Sequence, residues 1–507
     1  MNLPTIQQSY NTARAVLAGA LAMMFPALAA GAAPQSVDHP SKLAFPPLEF
    51  EPPSPAQFRH ELTNGVPVYL AVSKEFPLVT IRFTFKGGQY MEPTGKEGLA
   101  QLTGACIRQG GTQSLSGREL DEQFDFLAAN VFSAMTQTTS NAQINCLTSN
   151  LDEAFALFMD MVRTPGFDPE RVETFRAQAI EQMKTRNDMP LAIAIRELNN
   201  LAFGNDHFEG KMPTGQSIES ITIDDMRDLH ERIFNPANLI ISVVGDFDEA
   251  QMMSRLESAL AGWSRGASAP EVPAPTDALA PALYHTEKDA PQGQILIAQR
   301  GLTRDDPDAI KVAVMNQILG GGGFTSRIMN RVRTQEGLAY TAGSTFSDRV
   351  DYPGLFLAYC FSKTDSVALA TRLIFEEIER IRTEPVTDEE LQTVKNEFIQ
   401  TFPRRFESKT GTLVTFVNDE ITGRDPNFWR TYRDKVNAVT RDDVMRMAQK
   451  HLRPEDMLIL LVGKWDEIKK GNVDTEDDAN RVTTTDYFFD GRSTMIPEKD
   501  PLTLEPK

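Results

Sequence analysis

The sequence predicts an α+β protein in which one unit is used twice, and three observations carry that expectation. First, Ile221-Thr222-Ile223-Asp224-Asp225 through Asn235-Pro236 to Val243-Val244-Gly245-Asp246-Phe247-Asp248 lies without a gap on Val439-Thr440-Arg441-Asp442-Asp443 through Arg453-Pro454 to Leu461-Val462-Gly463-Lys464-Trp465-Asp466, at a constant offset of 218. Second, Arg163-Thr164 before Asp168-Pro169-Glu170 matches Arg382-Thr383 before Thr387-x-x-Glu390, at an offset of 219. Third, a stretch dense in Ala, Pro and Ser without apolar period, from Gly266 to Pro281, separates the two copies as a linker would. Two matched segments in one order at nearly one offset point to duplication, and 507 residues suffice for several cores.

Taken along the chain, the first segment is an address. Arg14 precedes the apolar stretch Ala15 to Ala30, and Ala30-Gly31-Ala32 offers the small-x-small pattern of a signal peptidase site, so residues 1–32 are expected to be removed on export to the periplasm. The competing reading is a first core helix, but the stretch is too short to span a bilayer and is broken at Pro26. Residues 33–54 form a proline-rich arm. The first domain is expected over 55–263: Val79, Ile81, Phe83 and Phe85 alternate with Thr80, Arg82 and Thr84 as a half-buried strand does, the pattern stops at Gly87-Gly88, and a helix follows from about Lys96. A linker over 264–284 leads to the second domain, 285–468. Each copy of the repeat reads as a Thr-capped helix, a proline turn and a buried strand, Leu239 to Val244 or Met457 to Val462, stopped by glycine. Residues 469–507, with Asp474-Thr475-Glu476-Asp477-Asp478, read as a loosely held acidic tail.

Composition removes several functions. With 51 Lys and Arg against 70 Asp and Glu, the formal charge is −19, opposite in sign to a nucleic-acid binder. After residue 35 no apolar run approaches the roughly 20 residues of a membrane span, so none is expected once the signal is removed. The six histidines stand at least 21 residues apart, which excludes an HExxH or HxxEH zinc helix within this chain. Cys106, Cys146 and Cys360 lack any CxxC pairing and read as buried apolar positions.

Glu97-Gly98-Leu99-Ala100-Gln101-Leu102-Thr103-Gly104-Ala105, followed by Gly110-Gly111-Thr112, resembles the pitrilysin, or insulinase-like (M16), zinc peptidase family, whose members read Gly-Leu-Ala-His-x-x-Glu-His here. Positions i, i+3 and i+4 share one helix face, which lets that family set two imidazoles on zinc and a glutamate on the attacking water. In this chain those positions are Gln101, Gly104 and Ala105, and none supplies a good ligand or a base. The family's third ligand, a glutamate ahead of an Asp-x-Pro, aligns with Gln182 rather than Glu181, before Asp188-Met189-Pro190. Residues 97–109 are therefore read as an ordinary buried helix.

The second domain keeps what the first has lost. Leu319-Gly320-Gly321-Gly322-Gly323-Phe324-Thr325-Ser326-Arg327 leads to Arg331-Val332-Arg333-Thr334-Gln335-Glu336-Gly337-Leu338-Ala339-Tyr340, which matches the family's C-terminal motif, where an Arg and a Tyr seven residues apart reach toward the zinc site. A helix ending at Gly337 puts Arg333 on its last turn and Tyr340 at the start of a strand from Leu338 to Phe346, with donors suited to a peptide carbonyl as it becomes an oxyanion. The bland alternative pairs Arg333 with a carboxylate such as Glu336 and buries Tyr340 in a core. Gly320, Gly321, Gly322 and Gly323 lack the Lys-Ser/Thr of a phosphate loop. In related mitochondrial processing peptidases such a loop touches substrate; a tight helix-to-helix turn is the even alternative.

The resemblance covers roughly residues 55–465 and implies two homologous domains, each a mostly antiparallel sheet flanked by helices, together half of a clamshell. In some bacterial members the active site is divided between two chains. The expectation is thus a periplasmic, non-catalytic subunit, inactive alone and with no cofactor of its own, whose Arg333 and Tyr340 serve an HxxEH-containing partner that carries the zinc and degrades peptides. The competing expectation is a peptide-binding or scaffold protein without enzymatic duty.

Overall fold

Alternating apolar residues build two sheets with the same path. In the computed structural model, which describes residues 49–276, 279–347, 349–472, 482–483 and 492–507, the first sheet comprises β1 (Arg59–Glu61), β2 (Pro67–Val72), β3 (Leu78–Lys86), β4 (Asn130–Met135), β5 (Thr139–Leu147) and β6 (Leu239–Gly245). The second comprises β7 (Leu283–Glu287), β8 (Gln292–Arg300), β9 (Ala339–Phe346), β10 (Leu355–Lys363), β11 (Leu458–Gly463) and β12 (Thr494–Met495). Their strand orders are β1-β2-β6-β3-β5-β4 and β12-β7-β11-β8-β10-β9, so β2-β6-β3-β5-β4 of the first and β7-β11-β8-β10-β9 of the second follow the same path out to the edge strands β4 and β9. All neighbours pair antiparallel except β2 with β6, β7 with β11 and β12 with β7. The architecture is α+β, two mostly antiparallel sheets flanked by helices. The expected signal peptide, most of the arm and Asp474–Asp478 lie outside the described residues.

Side chains on one face of each sheet meet the helices that follow it. Val79, Ile81, Phe83 and Phe85 of β3 enter the first core, where Phe83 meets Phe158 edge to face at 5.3 Å; Ile295 and Ile297 of β8 enter the second with Phe356 and Cys360. The repeated helices begin as their sequences dictate. Thr222 with Asp225, and Thr440 with Asp443, form matching capping boxes, as do Thr387 and Glu390, while Asp168 caps ahead of Pro169. Each such cap contributes about 0.5–2 kcal/mol. Cys106, Cys146 and Cys360 are buried and free.

The other face of each sheet is covered by a helix from the opposite half. Ile193, Ala194 and Leu198 of the helix Pro190–Phe203 pack on Leu296, Ala298, Leu458, Leu460 and Val462 of the second sheet. The helix Lys409–Ile421, which begins 219 residues later, lies over the first sheet: Phe416 faces Tyr69 at 6.4 Å, and Glu420 accepts from Arg59 and from the Tyr69 hydroxyl. The exchange extends the repeat from sequence to packing. Between the halves Glu209, buried to 3% side-chain exposure, accepts from Arg349 and the Tyr352 hydroxyl at 2.6 Å each.

Two connecting segments differ from a simple spacer and a loose tail. The described residues of the linker form no regular structure up to β7 but are pinned to the first half: Tyr90 donates to the Pro270 carbonyl at 2.8 Å, and Asn238 accepts from the Ala269 amide at 2.7 Å. The expectation of a loosely held tail over 469–507 is corrected for residues 492–507, which are described. Here β12 extends the second sheet, Lys499 pairs with Glu197 at 2.6 Å, and the Leu502 carbonyl accepts from Gly215 at 2.8 Å. Acidic composition governs solvation only where no partner is offered. The open edge of β7 and the buried carboxylate of Glu197 offer both.

Candidate functional site

The helix Leu99–Gln109 starts at Gly98, whose φ of +99° and missing side chain leave the first turn to be capped from elsewhere. Glu92 does this, accepting from the Ala100 amide at 2.7 Å and the Gly98 amide at 3.3 Å. Burial pushes the Glu92 carboxyl up to about 7, against the pull of those two amides. Gln101 points to solvent, Ala105 is half-buried and Gly104 is buried. At Gly104 the helix lies directly on β4: Ser133 donates to the Gly104 carbonyl at 2.6 Å, and a Cβ at 104 would stand 2.5 Å from the Met135 amide nitrogen. The position has lost the room for a glutamate as well as the glutamate. Glu181 pairs with Lys184 at 2.7 Å and Gln182 is exposed, while the neighbouring Met183 turns inward. Among the described residues no three His, Cys, Asp or Glu side chains gather as a metal ion would require. Zinc does not fit the described residues at these positions.

In the second half the corresponding helix, Ala309–Asn316, meets the edge strand β9 in the same way. A Cβ at Gly320 would stand 2.4 Å from the Ser344 amide nitrogen, and Asn316 and Ser344 exchange hydrogen bonds at 2.7 and 3.2 Å. Here, however, the helix widens into a π turn, Gln317–Gly321, and leaves through Gly322 and Gly323, the latter at φ +57° with open space around it. Gly321 and Gly323 are exposed; Gly320 is buried. The next turn returns the chain to the buried Ser326, and Arg327 anchors it on Glu390 at 2.6 and 3.0 Å.

Arg333 and Tyr340 come together beside this loop. Arg333 sits in a second π-helical segment, Asn330–Gln335, which is followed by Gly337 with φ +67°, and Tyr340 lies near the start of β9. The Arg333 Nη1 donates to the Tyr340 carbonyl at 2.9 Å, and its Cζ lies 4.4 Å from the Tyr340 ring centroid. The bland pairing is corrected: Glu336 is taken by Arg331, and Tyr340, at 74% exposure, fills no core. Arg333 has no carboxylate within salt-bridge distance among the described residues, whereas Arg327 and Arg331, both just ahead of it in the chain, are neutralised by Glu390 and Glu336. Phe324, missed by the sequence reading, places its ring centroid 4.6 Å from the same Cζ. Its signal was available, since a large apolar residue follows directly on a glycine run.

Two adjacent matches of sequence decide the relationship. Residues 68–212 match "Insulinase (Peptidase family M16)" and residues 220–398 match "Peptidase M16 inactive domain". The chain belongs to peptidase family M16. Its second M16 match is to the inactive-domain type. Among its relatives, a protein of Helicobacter pylori named non-peptidase homolog YmxG is 25% identical over 405 residues, 78% of this chain and 91% of that protein. A crystallised peptidase M16 inactive domain from Pseudomonas fluorescens has the same fold, with a TM-score of 0.72 and 22% identity over 80% of this chain and 97% of the other. The periplasmic protease PqqL of Escherichia coli matches with a TM-score of 0.68 and 18% identity, over 89% of this chain and 50% of that one. Among the described residues no helix is long and apolar enough to cross a membrane.

Proposed function

We propose that this chain is the non-catalytic subunit of a heterodimeric M16 zinc peptidase, exported to the periplasm, in which Arg333 and Tyr340 act on peptides held against the zinc of an HxxEH-containing partner. One observation carries the reading: an uncompensated guanidinium is held beside an exposed phenol in a chain whose zinc helix is closed against its own sheet. A guanidinium N–H and a phenolic O–H donate to the carbonyl oxygen of the scissile peptide and strengthen as that oxygen gains charge. Donors of this kind belong to the transition state more than to the bound peptide. The exposed Gly321 and Gly323, in the run Gly320, Gly321, Gly322 and Gly323, support a role for this loop in holding substrate, in half of a clamshell that closes over short or flexible peptides. The metal and the base belong to the partner, and this chain alone cuts nothing.

The test is Tyr340→Phe and Arg333→Ala in the reconstituted pair. Losing one such donor costs about 2.7–4 kcal/mol, so kcat should fall roughly a hundred- to thousandfold with the heterodimer intact by gel filtration. Equal kcat for wild type and Tyr340→Phe would make the chain a peptide-binding or scaffold protein instead.

A further inference from the structure

We infer that Phe324 is the positioning residue of this site: the glycine loop serves to lay the Phe324 ring against Arg333, and that contact holds the guanidinium in its working orientation. The inference rests on the reading that Arg333 acts on the peptide, and it adds a residue and a purpose for the loop. An arginine side chain has several freely rotating bonds, and one hydrogen bond to the Tyr340 carbonyl fixes only one of its nitrogens. Two aromatic rings, with centroids 4.4 and 4.6 Å from Cζ, restrict the rest while leaving its remaining N–H groups free of any carboxylate among the described residues.

The backbone around Phe324 is built for this placement. Phe324 is 65% exposed and belongs to neither core, so packing does not account for a large apolar residue there. It stands in a single tight turn, Gly323–Thr325, closed by the Thr325 hydroxyl on the Gly322 carbonyl at 2.8 Å and the Ser326 hydroxyl on the Gly323 carbonyl at 2.7 Å. The left-handed Gly323 sets the direction in which that turn leaves the helix. Both ends are anchored, at Gly320 against β9, the strand that carries Tyr340, and at Arg327 on Glu390. Phe324 and Tyr340 therefore stand on two braced elements, with Arg333 reaching in from the segment between them.

The experiment reads Arg333 directly. In the full exported chain labelled with 15N-arginine, the Arg333 Nε–Hε signal, assigned by its loss in Arg333→Lys, should be shifted upfield by the rings. Phe324→Leu should return it toward ordinary values, and Phe324→Tyr should leave it in place. In the reconstituted pair Phe324→Leu should lower kcat about ten- to a hundredfold with KM nearly unchanged, and Phe324→Tyr should restore it. Because the ring is exposed, the thermal midpoint should not move. An Arg333 signal unmoved by Phe324→Leu overturns the inference, as does an unchanged kcat in Phe324→Leu where Arg333→Ala is impaired. If Arg333→Ala has no effect on kcat, the proposed function fails, while the spectrum still decides whether Phe324 positions Arg333.

Discussion

The helix Leu99–Gln109 and the segment from Ala309 to Phe324 occupy the same place in the repeated unit, and each touches the edge strand beside it through a glycine. Gly104 meets β4 at Met135, and Gly320 meets β9 at Ser344, with Cβ clearances of 2.5 and 2.4 Å. From that shared contact the two diverge. In the first half the helix runs on as a regular α-helix and buries Cys106 and Ile107. In the second it opens into a π turn and a glycine loop that delivers Phe324 to Arg333. The scaffold is thus common to both halves, and chemistry depends on how the chain leaves the contact. In the first half the exit is closed.

The largest expected effect comes from trying to reopen it. Gly104→Glu restores the family's base in sequence, but its Cβ has no room against the β4 backbone and the position is buried. A destabilisation of about 3–5 kcal/mol is expected in urea unfolding, whereas Gln101→His with Ala105→His should change little. The triple variant should bind no stoichiometric zinc. A triple variant with the wild-type midpoint and one tightly held zinc by metal analysis would show that the closure is superficial.

This is also where the sequence spoke most and least clearly. The duplication was legible because caps, proline turns and buried strands are local patterns, and Thr222, Thr440, Thr387 and Asp168 cap as their neighbours require. The identities of Gln101, Gly104 and Ala105 by themselves supply no good zinc ligand or base, and the seven-residue spacing of Arg333 and Tyr340 allows the contact between them. What stayed illegible depends on contacts distant in the chain. The exchange of the helices Pro190–Phe203 and Lys409–Ile421 between halves, the docking of Lys499 on Glu197, and the capture of Glu336 by Arg331 rather than Arg333 follow from tertiary placement that no local period encodes.

The two equivalent helices also start with opposite electrostatics. Burial pushes the Glu92 carboxyl up to about 7, from an ordinary value of 4.5, whereas hydrogen bonds from Lys450 and then His451 hold the Asp308 carboxyl below the usual range. A carboxyl raised in the folded state contributes stability that is whole below pH 4.5 and is lost as pH rises through 7. Over that window the Glu92 contribution falls by about 3 kcal/mol. Asp308 acts in the reverse sense, its contribution present above the ordinary aspartate range and lost in acid. Glu92→Gln, which keeps an acceptor for the Ala100 amide, should flatten the urea midpoint between pH 4.5 and 7, and Asp308→Asn should not. A wild-type midpoint already flat over that window, or unchanged in slope by Glu92→Gln, would contradict the contrast.

The smallest expected effect separates the two kinds of glycine in the loop. Gly320 is required by space, since an added methyl meets the Ser344 backbone, and Gly320→Ala should destabilise the second half as Gly104→Ala destabilises the first, each by about 1–3 kcal/mol. Gly323 is required by conformation alone: its φ is +57°, and a Cβ there has nothing within 4 Å. Gly323→Ala should therefore cost only the left-handed strain of about 1–2 kcal/mol, and the chain can relieve part of it by rotating the exposed turn that carries Phe324. Relief by rotation moves the ring away from Arg333, so the variant should retain most of its stability and yet shift the Arg333 Nε–Hε signal in the same direction as Phe324→Leu. Gly320→Ala, measured beside it, should lower the midpoint more and the signal less. If the two variants reverse that order, the loop is held by Gly323 rather than by its contact with β9, and the first half, which has the contact without the loop, ceases to be its structural counterpart.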